Sequence, residues 1–377
     1  MVCAYREQCG GCPLRHLEAE AYREHKQKAL ASLLNRLPQE NIPLGAPVFI
    51  GDGHRRRASM AFEYKKGRLV LGFNENKSAN LVDVETCALL TGKINRNLPS
   101  LRRLLQELCA VSFSVKKGKK AVPARVEKGD VWICEADNGL DIVLEFNENL
   151  QLDHRMIIFE SVQTFPDIIR VSHRRKNADV PETVVEKAKP VINIAGYDVF
   201  IPAGTFLQAS KASEQALVSL VMKYAGDCTG KIADLFCGVG TFSYPLSKNK
   251  GCKILSVDSS EELLDGFKAS VNRNRITNIE VIKKNLFKYP LDEKELEGTE
   301  LVVFDPPRAG AAAQAAVLAG LPEDKKPRKI IAVSCNPYSF VKDAGILLAG
   351  GYKVAELTLV DQFSYSDHSE LIALFTK

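Results

Sequence analysis

No apolar run in the 377 residues approaches the ~18 that a membrane-spanning helix needs, so no such helix is expected. The amino terminus carries Arg6, Glu7, Arg15, Glu18 and Glu20 and lacks the apolar core of a secretory signal; a cytoplasmic location is expected. Internal repeats and low-complexity linkers are missing, and 45% apolar with 26% charged residues leaves no compositional case for disorder or a fibre. His16, His25, His54, His154 and His173 are scattered without metal spacing. The dinucleotide fingerprint is incomplete, because Gly238-Val239-Gly240-Thr241-Phe242-Ser243 has a serine where the third glycine would stand. Disulfides are not expected among the ten cysteines, since a cytosolic redox poise keeps thiols reduced. A chain of this length is large enough for two or three domains and for an enzyme.

What is present begins with charge. The net charge of +5 is unevenly spread: residues 51–126 hold 16 Lys+Arg against 6 Asp+Glu. That surplus contains Arg55-Arg56-Arg57, Lys65-Lys66-Gly67-Arg68 and Lys116-Lys117-Gly118-Lys119-Lys120. Each run alone reads as a solvated basic face, but three in one region look like the footprint of a phosphate backbone. A nucleic acid is the expected partner.

From Leu14 to Leu37, leucines and alanines recur at helical spacing up to Pro38. Between Pro47 and about Leu150, short alternations at 58–64, 69–73, 111–115, 131–135 and 142–146 predict an antiparallel β domain, with a helix over 98–108. Residues 150–195 read as mixed helix and strand. Beyond Ile201, strand candidates at 232–236, 254–257, 279–282, 301–304 and 330–333 alternate with helix candidates at 213–224, 262–275 and 340–348, the pattern of an α/β doubly wound, Rossmann-like sheet. The runs 353–360 and 371–375 are too close for a helical crossover, so an antiparallel last pair is expected. The expected division is a cysteine segment over 1–16, a helix over 17–40 packing on the catalytic domain, a β-rich domain over 41–195 and the α/β domain over 196–377.

Chemistry gathers where that sheet should end. Cys335, in Val333-Ser334-Cys335-Asn336-Pro337, follows an apolar strand at the edge where open α/β sheets present catalytic groups, so it reads as a nucleophile; a buried small hydrophobe is the bland alternative. Glu370, in His368-Ser369-Glu370, is a candidate base. The loop from Asp234 to Gly240 has glycines that let the backbone approach a nucleotide, and Asp258, ending the next strand, suits ribose hydroxyls. Such a unit serves S-adenosylmethionine as readily as NAD. The segment Asp305-Pro306-Pro307 after the fourth strand points to methyl transfer onto a planar nitrogen heterocycle or an amide; its bland reading is a strand-end turn.

The chain resembles the S-adenosylmethionine-dependent RNA uracil-C5 methyltransferases, both ribosomal and transfer-RNA branches. The likeness runs through Cys3 to Pro13, Gly53-His54-Arg55-Arg56-Arg57-Ala58, Phe206-Leu207-Gln208, Asp234 to Gly240, Asp305 to Gly310, Ser334-Cys335-Asn336-Pro337 and Asp361-Gln362-Phe363 through Glu370. It implies Cys335 as nucleophile, Glu370 as base, and cofactor contacts from Gln208, Phe236, Asp258, Asn285 and Asp305. The usual proline after the motif's Phe is Ser364 here, and Ser366 replaces a threonine. An oligonucleotide-binding-like domain ahead of the cysteines, found in some ribosomal members, is expected to be absent. The basic motif and the cysteine cluster favour 23S ribosomal RNA over transfer RNA, with neither DNA nor membrane as partner.

Cys3, Cys9 and Cys12 offer three soft ligands within ten residues, and Cys87 offers a fourth. By spacing an iron–sulfur cluster and a zinc ion are equally served. The resemblance implies a [4Fe–4S] cluster on those four, with Cys109 and Cys134 as rivals for the last place. The chemistry needs no electron transfer, so the cluster is expected to be structural or to position RNA. Cys228, Cys237 and Cys252 receive no chemistry. Competing readings are a radical enzyme that cleaves S-adenosylmethionine, whose Cys-x3-Cys-x2-Cys signature is missing, and a non-catalytic RNA-binding assembly factor, against which Asp305, Cys335 and Glu370 speak.

Overall fold

A computed structural model describes residues 3–118, 120–176, 178 and 180–377. Lys119, in the third basic run, lies outside the described residues. The chain forms two compact units, one from residues up to 16, 51–192 and 201–210, the other from 17–50, 193–200 and 211–377.

The second unit is built on an eight-stranded sheet. Lys231–Leu235 lies between Lys253–Asp258 and Thr299–Phe304; Ile279–Lys283 flanks the former and Lys329–Ser334 the latter, all parallel. Lys353–Asp361 and Glu370–Thr376 form the antiparallel final pair, and Glu370–Thr376 slots between Lys329–Ser334 and Lys353–Asp361. The central strands are buried on both faces, as a parallel sheet covered by helices requires. The amino-terminal helix, Ala19–Leu34, belongs to this unit: Tyr22, Lys26, Leu30 and Leu34 recur every fourth residue on its buried face. Leu30 and Leu34 join the same core as Phe304, Ile330 and Leu347. Each such leucine contributes about 1.5–3 kcal/mol of burial.

The first unit centres on a seven-stranded sheet ordered Glu182–Glu186, Ile168–Arg174, Gly139–Glu145, Lys128–Ala136, Arg57–Lys65, Arg68–Asn74, Leu81–Asp83. The helix Gly92–Ala110 packs its leucines into that core. The sheet is not wholly antiparallel as expected. Gly139–Glu145 and Ile168–Arg174 pair in parallel because the helix Leu152–Thr164 carries the chain back between them.

Strand pairing also moves the expected boundaries. Val48–Phe49 pairs in parallel with Lys353–Asp361, so residues 41–50 sit in the second unit, while 201–210 return to the first, where Ser210 bridges Arg55. The helix Ala312–Gly320 had no sequence signal, because its alanine-rich run shows no polar and apolar faces to distinguish.

Candidate active site

The parallel strands bring their carboxyl ends to one edge of the second unit's sheet. After Lys231–Leu235 the chain turns sharply: Phe236 holds a φ of +59°, a constrained left-handed conformation for a non-glycine residue. Gly240 has a φ of +92°, and a Cβ there would lie 2.5 Å from the Phe267 ring, so only glycine fits. Asp258 anchors this loop. Its Oδ2 accepts from the Gly238 N–H at 3.0 Å, while Oδ1 accepts from Ser259 N–H at 2.7 Å and Ser260 N–H at 3.0 Å. Oδ1 is thus filled, while Oδ2 keeps a second lone pair as acceptor capacity for a ligand.

Asn285 caps the turn after the third strand, its Oδ1 accepting from the Phe287 and Lys288 N–H groups. The Phe236 and Phe287 rings stand 5.3 Å apart beside the loop, and Phe287 is exposed. Together they make an apolar shelf next to a polar anchor.

Asp305 follows the fourth strand and is half-buried, its N–H donating to the Leu235 carbonyl. The turn after it is tied to the next strand's end by Asn336, whose Nδ2 donates to the Arg308 carbonyl at 2.9 Å. Cys335 stands at that end, half-buried.

The antiparallel strand Glu370–Thr376 supplies the carboxyl. Ser334 pairs with Leu371, so Cys335, one residue beyond, and Glu370, one residue before, leave the ladder side by side. Glu370 is only 1% exposed. Its Oε2 accepts from Gln362 Nε2, and Gln362 Oε1 in turn accepts from the Ser213 hydroxyl at 3.1 Å. Among the described residues Glu370 Oε1 has no hydrogen-bond partner.

Crowding of acids sets the protonation states. Burial pushes the Cys335 thiol up to about 12, with Glu370 and Asp305 adding to the rise and Arg308 opposing it. Burial likewise holds the Glu370 carboxyl well above its ordinary range; Asp305 adds to this, and the Gln362 hydrogen bond works against it. Asp234 is pushed up to about 7, again first by burial, against the Ser243 hydrogen bond and with help from Asp305 and Asp258. A thiol beside a high-pKa carboxyl is equipped for covalent addition followed by proton abstraction. An edge rich in carboxylates favours a cationic ligand.

In the first unit, Cys3, Cys9, Cys12 and Cys87 line one cavity of about 240 Å³. Cys109 is buried in the hydrophobic core and Cys134 lines a different cavity. Among the described residues no group of three or more His, Cys, Asp or Glu side chains is placed to hold a single metal ion. Gln208 also belongs to this unit, buried, its carbonyl accepting from Arg56 Nε at 3.1 Å.

Residues 168–377 match the family profile described as tRNA (Uracil-5-)-methyltransferase. An uncharacterized RNA methyltransferase of Agrobacterium fabrum is 34% identical over 98% of this chain and 82% of its own length. The chain belongs to the S-adenosylmethionine-dependent RNA uracil-C5 methyltransferase family. The 23S rRNA (uracil(1939)-C(5))-methyltransferase of Mannheimia succiniciproducens is 29% identical across 100% of this chain and 81% of its own. The fold matches that of the Pyrococcus abyssi tRNA (uracil-54, C5)-methyltransferase, solved with S-adenosyl-L-homocysteine, at a TM-score of 0.73 and 23% identity over 98% of this chain and 86% of that one. S-adenosylmethionine is thus the methyl donor and RNA the substrate class. Among the described residues no helix is long and apolar enough to cross a membrane.

Two groups that shape the site of this methyltransferase, Lys26 and Tyr22, belong to none of the sequence motifs. Lys26, 2% exposed, ion-pairs with Asp361 at 3.0 Å and donates to the His368 carbonyl in the loop that leads to Glu370. Tyr22, one turn earlier, donates its hydroxyl to Asp361 and accepts from the Tyr365 N–H at 2.8 Å. The available signal was a tyrosine and a lysine four residues apart on an otherwise apolar helix face. His368 meets Arg308 through its ring. Ser366, where a threonine is usual, accepts from the His368 N–H and donates to the Phe363 carbonyl, closing the turn.

The basic runs divide. Arg56 is buried and Arg57 is half-buried, with its guanidinium 3.7 Å over the Phe206 ring, so this run is not a solvated phosphate-binding face. Lys65, Lys66 and Arg68 remain exposed on a hairpin turn, as do Lys116 and Lys120 on another.

Proposed function

We propose that this methyltransferase modifies C5 of one uridine in 23S ribosomal RNA through a covalent bond between Cys335 and C6 of the base. The observation that carries this reading is the placement of Cys335 and Glu370 at neighbouring strand ends, thiol beside buried carboxyl. C5 of uracil is too weak a nucleophile to take a methyl group. Addition of the Cys335 thiolate to C6 moves the ring electrons toward C5 as an enolate, and C5 then displaces S-adenosylhomocysteine from the sulfonium methyl. Ionised Glu370 removes the remaining C5 proton; the electron pair re-forms the ring double bond and expels the thiolate. The raised pKa of Glu370 makes it the stronger base once ionised.

Asp258 and Asp305 are assigned to S-adenosylmethionine with Phe236 and Asn285, and the carboxylates suit its positive sulfonium better than the neutral product. We assign RNA recognition to the first unit. Its uridine must leave the base stack to reach Cys335. A ribosomal-RNA substrate places the work in the cytoplasm.

The four cysteines fit a [4Fe–4S] cluster by donor chemistry. Arg15 hydrogen-bonds Cys12, Arg55 lines the same cavity, and the Gly11 N–H donates to Cys9 Sγ at 3.4 Å. Two arginines and a backbone donor offset the negative charge of four thiolates. When bound, the cluster would staple the amino-terminal segment to the loop around Cys87.

The test is 5-methyluridine mapping in RNA from a strain lacking the gene, complemented with the intact gene or with Cys335→Ala. Loss of one 23S site, restored by the intact gene alone, is expected. A lost site in transfer RNA would redirect the substrate, and full restoration by Cys335→Ala would sink the covalent mechanism. Iron and sulfide content with visible absorption distinguishes the cluster from zinc.

A further inference from the structure

Next to the catalytic residues, the second unit contains a cavity of about 660 Å³ that the reaction above leaves unused. That volume lies within the roughly 300–1,000 Å³ typical of ligand sites. One wall is the active site's own flank: Asn336 and Pro337 directly after the nucleophile, His368 and Ser369 directly before the base, and Arg308 after the Asp-Pro-Pro turn. The opposite wall is the amino-terminal helix and the turn beyond it, where His25, Ala29, Ser32 and Leu33 follow one another at helical spacing and Arg36 ends the row.

Tyr338 stands between these walls, on the first turn of the helix Pro337–Ala349, its N–H donating to Asn336 Oδ1. It is 66% exposed. The Arg36 guanidinium lies 5.8 Å from its ring centroid. A solvent-exposed aromatic ring with a cation over it is what a base and its phosphate need. His25 and Arg36 are exposed, and Arg308 reaches the same space; Asp367 is the acid on the rim. Lys26 also borders the cavity, but its charge is already paired with Asp361.

We propose that this cavity holds a nucleotide flanking the target uridine, its base stacked on Tyr338 and its phosphate met by Arg36 and Arg308. Continuity decides the occupant: a uridine at Cys335 is part of a strand, and the adjoining nucleotide must lie within one backbone step of the residues on either side of the nucleophile. This assignment rests on the uridine-C5 reading. It makes Tyr338 a residue that selects an unpaired neighbour, since a base held in a duplex cannot present its face there.

Methylation is measured with short single-stranded RNA containing the modified uridine, with each position within two nucleotides of it replaced in turn by an abasic site. Tyr338→Ala is expected to raise KM for the intact RNA roughly 5- to 150-fold, the range for one lost base stack, with kcat and S-adenosylmethionine affinity kept. Tyr338→Phe should restore the wild-type value. One abasic position should cost the wild-type enzyme a similar factor and cost Tyr338→Ala nothing more. If both proteins lose equally at every position, Tyr338 holds no base and the assignment is overturned. If the wild-type enzyme binds S-adenosylmethionine yet methylates no RNA, the uridine-C5 reading itself fails, and this proposal with it.

Discussion

Replacing Gln362 with leucine should trap the methylated intermediate on the enzyme. Glu370 is buried, and Gln362 Nε2 donates to its Oε2 in an orientation set by the Ser213 hydroxyl at Gln362 Oε1. A hydrogen bond to a charged group is worth about 1.5–3 kcal/mol, and at about 1.4 kcal/mol per factor of ten its loss disfavours the ionised Glu370 carboxyl about 10- to 100-fold. In the proposed mechanism only the ionised carboxyl takes the C5 proton, so resolution of the adduct should slow about 10- to 100-fold near neutral pH. Addition of Cys335 and methyl transfer come before that step and should keep their rates. The assay is a single turnover with labelled S-adenosylmethionine, quenched in denaturant and resolved by size. Label should persist on a protein–RNA conjugate and leave it faster as pH rises. Ser213→Ala should act in the same direction more weakly, because it frees the amide to turn without removing it. Slow turnover with no conjugate, or wild-type release from a variant that binds both substrates, would refute the positioning role of Gln362.

Three further outcomes follow from the same structure. Cys335 alkylation in the RNA-free protein should rise about tenfold per pH unit from pH 7 to 10 without a plateau, because its thiol is pushed up to about 12; a plateau near pH 8 would contradict this. Glu370→Gln should shift that profile to lower pH. Lys26→Met strands the buried Asp361 carboxylate and should cost about 3–5 kcal/mol in chemical denaturation, most of it recovered by adding Asp361→Asn; an unchanged single variant would show that the pair does not hold the loop. Gly240→Ala forces a Cβ to 2.5 Å from the Phe267 ring at a positive φ, so S-adenosylmethionine binding measured by calorimetry should weaken at least tenfold; unchanged affinity would mean the loop does not carry the cofactor.

Much of the sheet's carboxyl edge was legible in the sequence, because each of its elements announces itself locally. Apolar runs ending at Phe236, Asp258, Asp305 and Cys335 mark strands whose carboxyl ends share an edge, and a doubly wound sheet has one place to present such groups. The parallel pair in the first unit was not legible, since the direction of Gly139–Glu145 relative to Ile168–Arg174 depends on where the helix between them lands. The Arg55-Arg56-Arg57 run misled for a related reason: a count of charge does not tell whether guanidinium groups face water or a neighbouring chain segment.

Local sequence determined which residues have the chemistry: a thiol after a strand, an acid before one, and four cysteines with soft sulfur. Tertiary structure alone decided who meets whom. Glu370 reaches Cys335 because Glu370–Thr376 inserts beside Lys329–Ser334 instead of adding to the sheet's rim, and Lys26 supports the loop before Glu370 from 342 residues away. The first kind of information lies in the side chains and their immediate period. The second lies in the pairing of distant strands and the burial of distant faces, whose free energy exists only once the whole sheet has closed.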